Sequence, residues 1–249
     1  MNQSFYTGAI GASMQLRRMN IIGDNVANLN TFGFKADRTD FTALIYQDHR
    51  GIEDDLPRGV GTRILMTSTN HAQGPVEDFG RALDYMIDGD GFFALVELAT
   101  GQVSYTRNGA FFMVSREEPT GEVDAYGQPV TRLQFYLGDN EGRFVLSETG
   151  GLIRVDADTS KEKLPIGIFD FVNYDGMQQL DDTRYLPVDK NGNLLYGTGE
   201  LVQGVVEGSN ADLAEEYTKL IEAQRAYGLA LKMVQTSDEI ENTINGLRN

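Results

Sequence analysis

Residues 5–29 read FYTGAIGASMQLRRMNIIGDNVANL, and in this stretch Phe5, Gly8, Ala12, Gln15, Met19, Ile22, Val26 and Leu29 follow one another at alternating steps of three and four. The same rhythm returns near the other end of the chain through Leu213, Tyr217, Leu220, Gln224, Tyr227, Leu231, Val234 and Asp238. Alternating steps of three and four place side chains along one helical seam, which needs a partner to cover it. The two ends therefore predict long helices that pack as a coiled-coil-like pair. At about 1.5 Å per residue each spans on the order of 40 to 50 Å. The first helix is expected from Ser4 to about Asn30. Gly8, Gly11 and Gly23 each cost roughly 0.5 to 1 kcal/mol relative to Ala in a helix interior, so the segment is marginal on its own. Asn28 to Lys35 then gathers turn-tolerant residues ahead of an apolar anchor, Phe34. The second helix is expected to open at Ser209-Asn210-Ala211-Asp212, with Asp212 and Glu215 in capping-box spacing, and to stop at Gly246.

The middle of the chain has a different texture. Residues 48–61 are polar and carry Gly51, Pro57, Gly59 and Gly61, a loop or extended excursion. From about residue 62 to 205, short apolar runs (91–96, 134–137, 164–169) alternate with turn pairs. These pairs are Asp90-Gly91, Asn108-Gly109, Thr120-Gly121, Glu141-Gly142, Asp175-Gly176 and Asn191-Gly192. This is the punctuation of antiparallel hairpins. The expected class is α+β, a helical pair with a central antiparallel β domain inserted between its halves. The expected boundaries are 1–40 with 205–249 for the helical domain, 41–80 with 190–204 for a connecting or elbow region, and 81–189 for the β domain.

With 249 residues, 41% hydrophobic and 23% charged, the composition suits a sizeable core. The net charge of −16 is uneven: residues 1–35 carry +2, residues 205–249 carry −4, and the remaining −14 falls on the middle. An acidic middle argues against nucleic acid, which requires clustered cations, and against anionic lipid. The longest unbroken apolar run is Phe92 to Val96, far short of the ~18 to 20 residues of a membrane span. The N-terminal stretch lacks the basic segment and unbroken apolar run of a cleaved signal. With no cysteine, disulfides, thiolate catalysis and cysteine metal sites are excluded.

Little in the chain carries chemistry. The histidines, His49 and His71, lie in polar segments without a nucleophile elbow. Asp189, Asn191, Asn193 and Glu200 take the first, third, fifth and twelfth places of a calcium loop, but Leu194 stands where that loop needs Gly, so a polar turn explains them better. Asp88-Gly89-Asp90-Gly91 reads as a β-turn. Adjacent acids at Asp54-Asp55 and Asp181-Asp182 diverge in direction and stay solvated, so neither is tuned as a general acid. No enzyme, cofactor or metal is expected.

Three blocks carry a family resemblance. Ala27-Asn28-Leu29-Asn30-Thr31-Phe32-Gly33-Phe34-Lys35 resembles a signature of the bacterial flagellar axial proteins, the rod and hook subunits. Residues 209–216 followed by 220–227 resemble the second signature of that family. Gly80 to Asp84, Ile87 to Phe93 and Tyr105 to Phe111 resemble a third, and all three stand in family order. Asp37 to Phe41, Leu44 to Gln47 and Gly59 to Arg63 look more like distal-rod than proximal-rod members. Phe32 departs from the family, where Pro or a small residue is usual, and residues 112–190 match no family block.

The resemblance implies a structural subunit of the basal-body rod, exported through the flagellar type III apparatus without a cleaved signal. It assembles helically with itself and with other rod and hook axial proteins into the hollow shaft that passes torque across the periplasm, with no direct membrane insertion. Phe5, Ala12, Met19, Ile22, Val26 and Leu29, with Leu213, Tyr217, Leu220, Tyr227, Leu231 and Val234, are the expected assembly seam. Ala27, Asn28, Asn30, Thr31, Gly33, Phe34 and Lys35 are the expected elbow. A different class of reading is a soluble monomeric β-domain protein binding a glycan or peptide, its terminal helices merely closing the fold; circular dichroism separates the two, since only a closed monomer keeps full helicity when dilute.

Overall fold

The structure, a computed structural model, describes residues 3–43, 47–49, 56–58, 62–123, 129–156 and 163–247, with side chains described at 4–39, 67–119, 131–156 and 163–247. Helix α1 (Gln3–Ala27) comes first and helix α2 (Leu213–Leu247) last. Between them in sequence lie strands β1 (Asp37–Ala43), β2 (Gln47–His49), β3 (Leu56–Arg58), β4 (Thr62–Thr69), β5 (Val76–Asp78), β6 (Tyr85–Asp88) and β7 (Phe92–Glu97). Then follow β8 (Gln102–Thr106), β9 (Phe112–Val123), β10 (Pro129–Gly138), β11 (Phe144–Val145) and β12 (Ile168–Phe171). The last strands are β13 (Gln178–Gln179), β14 (Arg184–Leu186), β15 (Leu194–Tyr196), β16 (Glu200–Gln203) and β17 (Val205–Glu207). Every described strand pairing is antiparallel, so the class is α+β as expected. The chain divides into two compact units: residues 1–29, 36–70 and 211–249 form one, and residues 30–35 and 71–210 the other.

In the helical unit α1 and α2 lie side by side and antiparallel. Ser4 and Ser237 share a hydroxyl–hydroxyl hydrogen bond of 2.8 Å, Gly8 faces Val234 and Ala230, and Arg18 approaches Glu222 at 3.6 Å. A Cβ on Gly8 would come within 3.0 Å of the Val234 side chain and 3.2 Å of the Ala230 carbonyl oxygen. That glycine admits the partner helix. Asp212 caps α2 as expected, its carboxylate accepting from the Ala214 and Glu215 amides at 2.8 and 3.1 Å. Glu215 pairs with Lys219 at 2.9 Å, one turn forward, and α2 ends at Leu247, one residue past Gly246. β1 and β4 form a ribbon in register from Asp37↔Thr69 to Ala43↔Thr62, with an irregularity at Asp40/Phe41.

In the second unit β7 is the central strand. It pairs β8 along one side, and β11 and β12 along the other. Because successive strand residues face opposite ways, the unbroken run Phe92 to Leu95 feeds two cores. Phe93 and Leu95 pack with Tyr85, Ile87, Leu137, Val145 and Leu164; Phe92 and Ala94 pack with Tyr105, Phe169, Phe171 and Tyr185. Two expected features differ. Thr120-Gly121 is no turn, since β9 runs through it to Val123 and pairs with β10 as far as Pro129. The run 164–169 becomes strand only at Ile168, because Pro165 supplies no amide and Gly167 leaves no room for a Cβ beside Phe169; Leu164 and Ile166 still enter the core. Glu141-Gly142 and Asp175-Gly176 are turns, each glycine at φ +82°.

Candidate functional site

Residues after α1 are pinned one by one. The Asn28 amide and side chain both donate to the Asp24 carbonyl at 3.1 Å, closing the last helical turn. Ala27 is exposed at the helix end, Asn30 is exposed, and Thr31 is half-buried. Phe32 stacks edge-on against Phe79 with ring centroids 5.4 Å apart. Gly33 is buried at φ +70°, and a Cβ there would stand 2.2 Å from the Asn108 amide nitrogen, so both conformation and space demand glycine. Its amide donates to the Glu207 carbonyl at 2.7 Å. Phe34 and Lys35 are buried.

Lys35 leads to the most unusual feature of the second unit. Its ammonium and the Glu207 carboxylate are both fully buried and in contact, and the ammonium also donates to the Ala72 carbonyl at 2.7 Å. Glu207 further accepts from the Gly74 amide at 2.8 Å and faces the Arg107 guanidinium at 3.4 Å. Arg107 donates to the carbonyls of Ile87 and Gly89 at 3.3 and 2.7 Å and lies over the Phe92 ring at 5.5 Å. Two buried cations thus share one carboxylate, and backbone carbonyls and a ring face absorb the remainder. Burial pushes the Lys35 ammonium below its ordinary range while contact with Glu207 opposes that. The Lys35–Glu207–Arg107 cluster joins five segments: residues 30–35, 72–74, the end of β6, the residue after β8 and β17.

His71 stands beside this cluster. Its ring packs on Phe92, Tyr174 and Tyr185 at 5.8, 5.3 and 5.5 Å between centroids, and its Nδ1 is buried with no hydrogen-bond partner among the described residues. Burial, then Lys35 and Arg107, lower its pKa to about 4, with Asp175 opposing.

A second clamp lies in the helical unit. The buried Asn25 side chain donates to the Asp37 carbonyl at 2.8 Å and accepts from the Asp37 amide at 2.9 Å, tying α1 to β1. The Asp37 carboxylate accepts from the Thr69 hydroxyl at 2.7 Å; burial nevertheless raises its pKa, and Asp24 adds to the rise.

The seam residues are spread between cover and exposure. Ala12 and Ile22 are buried; Met19, Val26, Leu29, Leu220, Tyr227 and Val234 are half-buried; Phe5, Leu213, Tyr217 and Leu231 are exposed. The buried positions of α2 are Glu216, Ala223 and Ser237. These escape a search for apolar spacing because two of them are polar. Arg107 lies inside a family block, and Glu207 beside one, but no pattern in the chain announces a buried charge.

The remaining charged clusters are already satisfied. A cleft of about 370 Å³ holds Arg81, Arg143 and Arg184, paired with Asp84, with Asp139 and Glu141, and with Asp181. Asn191 is buried and bonds Val188, Asn173 and Asp175, so that loop uses its polar groups to hold its own turn. Asp54, Asp55 and the segments 44–46 and 59–61 lie outside the described residues, as does the side chain of His49.

Two family models match, one described as flagella basal body rod protein over residues 5–35 and one as flagellar basal body rod FlgEFG protein C-terminal over residues 202–247. The chain is 31% identical to the flagellar basal-body rod protein FlgG of Buchnera aphidicola subsp. Schizaphis graminum, over 99% of this chain and 100% of that protein. It belongs to the flagellar basal-body rod protein family. Members of this family are structural proteins of the flagellum's basal body, and this chain is FlgG-like rather than an enzyme. A second FlgG, from Borreliella burgdorferi, is 31% identical over 100% of this chain and 99% of that one; a FlgF of Caulobacter vibrioides is 28% identical over 98% and 96%. No helix among the described residues is long and apolar enough to cross a membrane. The first rod-family match ends on Lys35 and the second contains Glu207, so the buried ion pair links the two matched segments.

Proposed function

We propose that this rod-family chain is a self-assembling subunit whose paired terminal helices pack against those of neighbouring copies in a helical, hollow shaft. The observation that carries this reading is the distribution of apolar residues around α2. After α1 has covered one face, Leu229, Met233, Ile240, Ile244 and Leu247 stay exposed along one flank, with Leu229 at 67% and Leu247 at 84%. Leu213, Tyr217, Ile221 and Leu231 stay exposed along the other. At 3.6 residues per turn the two flanks lie roughly 90° to either side of the covered face. Apolar side chains left bare on two flanks of one helix call for cover that α1 does not supply, and a neighbouring copy would supply it. Two different flanks on one helix fit a heterologous contact, which propagates into a filament instead of closing into a dimer.

In this reading the helices form a coiled-coil-like inner layer and residues 27–35 the elbow. Neighbours of the same build, other rod and hook axial proteins, continue the shaft, and torque passes along it. A long chain with marginal glycine-bearing helices suits export through the flagellar type III apparatus. Leu229→Asp and Ile244→Asp are expected to leave the circular dichroism of the dilute monomer at the wild-type level and to abolish tubes in negative-stain images of concentrated protein. Wild-type-like tubes from either variant would remove the assembly surface from consideration.

A further inference from the structure

We propose that the Lys35–Glu207–Arg107 cluster is an acid-released latch: a proton on His71 unseats residues 71–74 and frees residues 30–35 from the β unit. The device stands independently of assembly. Its basis is a charge count around a half-buried ring whose Nδ1 is itself buried. Around His71 stand Lys35 from the segment after α1, Arg107 from the end of β8, Glu207 from β17, Tyr174 and Asp175 from the turn after β12, and Tyr185 from β14. Phe92 from β7 closes the packing, and Asp90 and Asp170 reach only Tyr174. Glu207 is already shared by two cations. A third positive charge has one weak ally, Asp175, and no acceptor at Nδ1 among the described residues. The buried Nδ1–H of the imidazolium must therefore turn out of its aromatic seat to find an acceptor.

That movement reaches the latch directly, because His71 leads the backbone that closes it. Ala72 supplies the carbonyl that accepts from Lys35 and from the Asn210 side chain, and Gly74 supplies the amide that holds the Glu207 carboxylate. Moving 71–74 strips two of the bonds that keep Lys35 and Glu207 in place. The Gly33 amide, bonded to the Glu207 carbonyl, loses its anchor in turn.

The sign follows from linkage. The seated imidazole titrates at about 4 and a released one near 6.5, so the open form gains protons first as pH falls. Nothing changes above pH 7, the open population rises through the window between the two values, and it levels off below about 4. Between pH 7.5 and 5 the opening constant is expected to rise about thirtyfold.

Hydrogen exchange at the Gly33 and Gly74 amides, corrected for intrinsic rates and measured on dilute monomer, tests this. The wild-type chain should show the rise, and His71→Phe, which keeps an aromatic ring without the titration, should hold within about twofold across the same range. His71→Gln serves the same purpose should the phenylalanine variant not fold at pH 8. Asp175→Asn, which removes the one favourable anion, should show a rise at least as steep as the wild type. An equal rise in the position-71 variants, a flattened response in Asp175→Asn, or a His71 ring that titrates near 6.5 by NMR while both amides stay protected would each overturn the latch.

Discussion

Glu207 is the residue on which the β unit's end of the family signature depends, and its energetics are asymmetric. Removing one member of a buried ion pair costs about 3 to 5 kcal/mol because the survivor stays buried and uncompensated. Glu207→Gln strands two cations, Lys35 and Arg107, whereas Lys35→Met leaves Glu207 with Arg107, one charge against one. Urea unfolding of the β unit should therefore rank Glu207→Gln as the more damaging, near the upper end of that range, with Lys35→Met clearly milder. The reverse order would mean that Arg107 does not carry its share. The chain itself pointed to Lys35 through the motif, but no periodicity marks Glu207 or Arg107 as buried, since burial of a charge depends on what other, distant segments bring to it.

For the elements, the helix pair sets the rules. Gly8 and Gly23 look alike in the sequence, each a helix-interior glycine with the same intrinsic cost, yet the partner helix treats them differently. Gly8 sits against Val234 and Ala230, while a Cβ on Gly23 meets nothing within 4 Å. Gly23→Ala is expected to stabilise the helical unit by about 0.5 to 1 kcal/mol, and Gly8→Leu to destabilise it by roughly 1 to 3 kcal/mol through overpacking, both read by thermal melts followed at 222 nm. Asp212→Ala should cost about 1 kcal/mol in the same melts by removing the cap from the Ala214 and Glu215 amides. The cap was visible in the sequence because its spacing is local. The end of α2 falls at Leu247, one residue past the expected Gly246. The turn expected at Thr120-Gly121 did not form, because pairing with β10 carries β9 past a dipeptide whose own preference is to bend.

At the scale of the whole molecule two forces compete. The net charge of −16 makes copies repel, and the apolar flanks of α2 draw them together. Raising ionic strength from about 0.01 M to 0.15 M shortens the screening length from roughly 30 to 8 Å, so assembly should strengthen with salt. Warming from about 5 to 25 °C should strengthen it as well, since hydrophobic burial weakens on cooling. Sedimentation velocity checks both; assembly that dissolves with added salt would mean that ion pairs, not the flanks, hold copies together. Leu220→Asp makes a useful contrast to Leu229→Asp: Leu220 is already half-buried in the single chain, so its variant should damage the helical unit before any copy is met.

By itself the sequence determined the α+β class, the two terminal helices, the hairpin turn at Glu141-Gly142 and the family, because each rests on spacing or composition within a few residues of chain. Only the tertiary structure decided which positions of α2 are covered and which stay bare, and that Lys35, Arg107 and Glu207 meet. Those outcomes depend on the rotation of one helix against another and on contacts across more than 170 residues of chain between Lys35 and Glu207. Local preference carries no information about either.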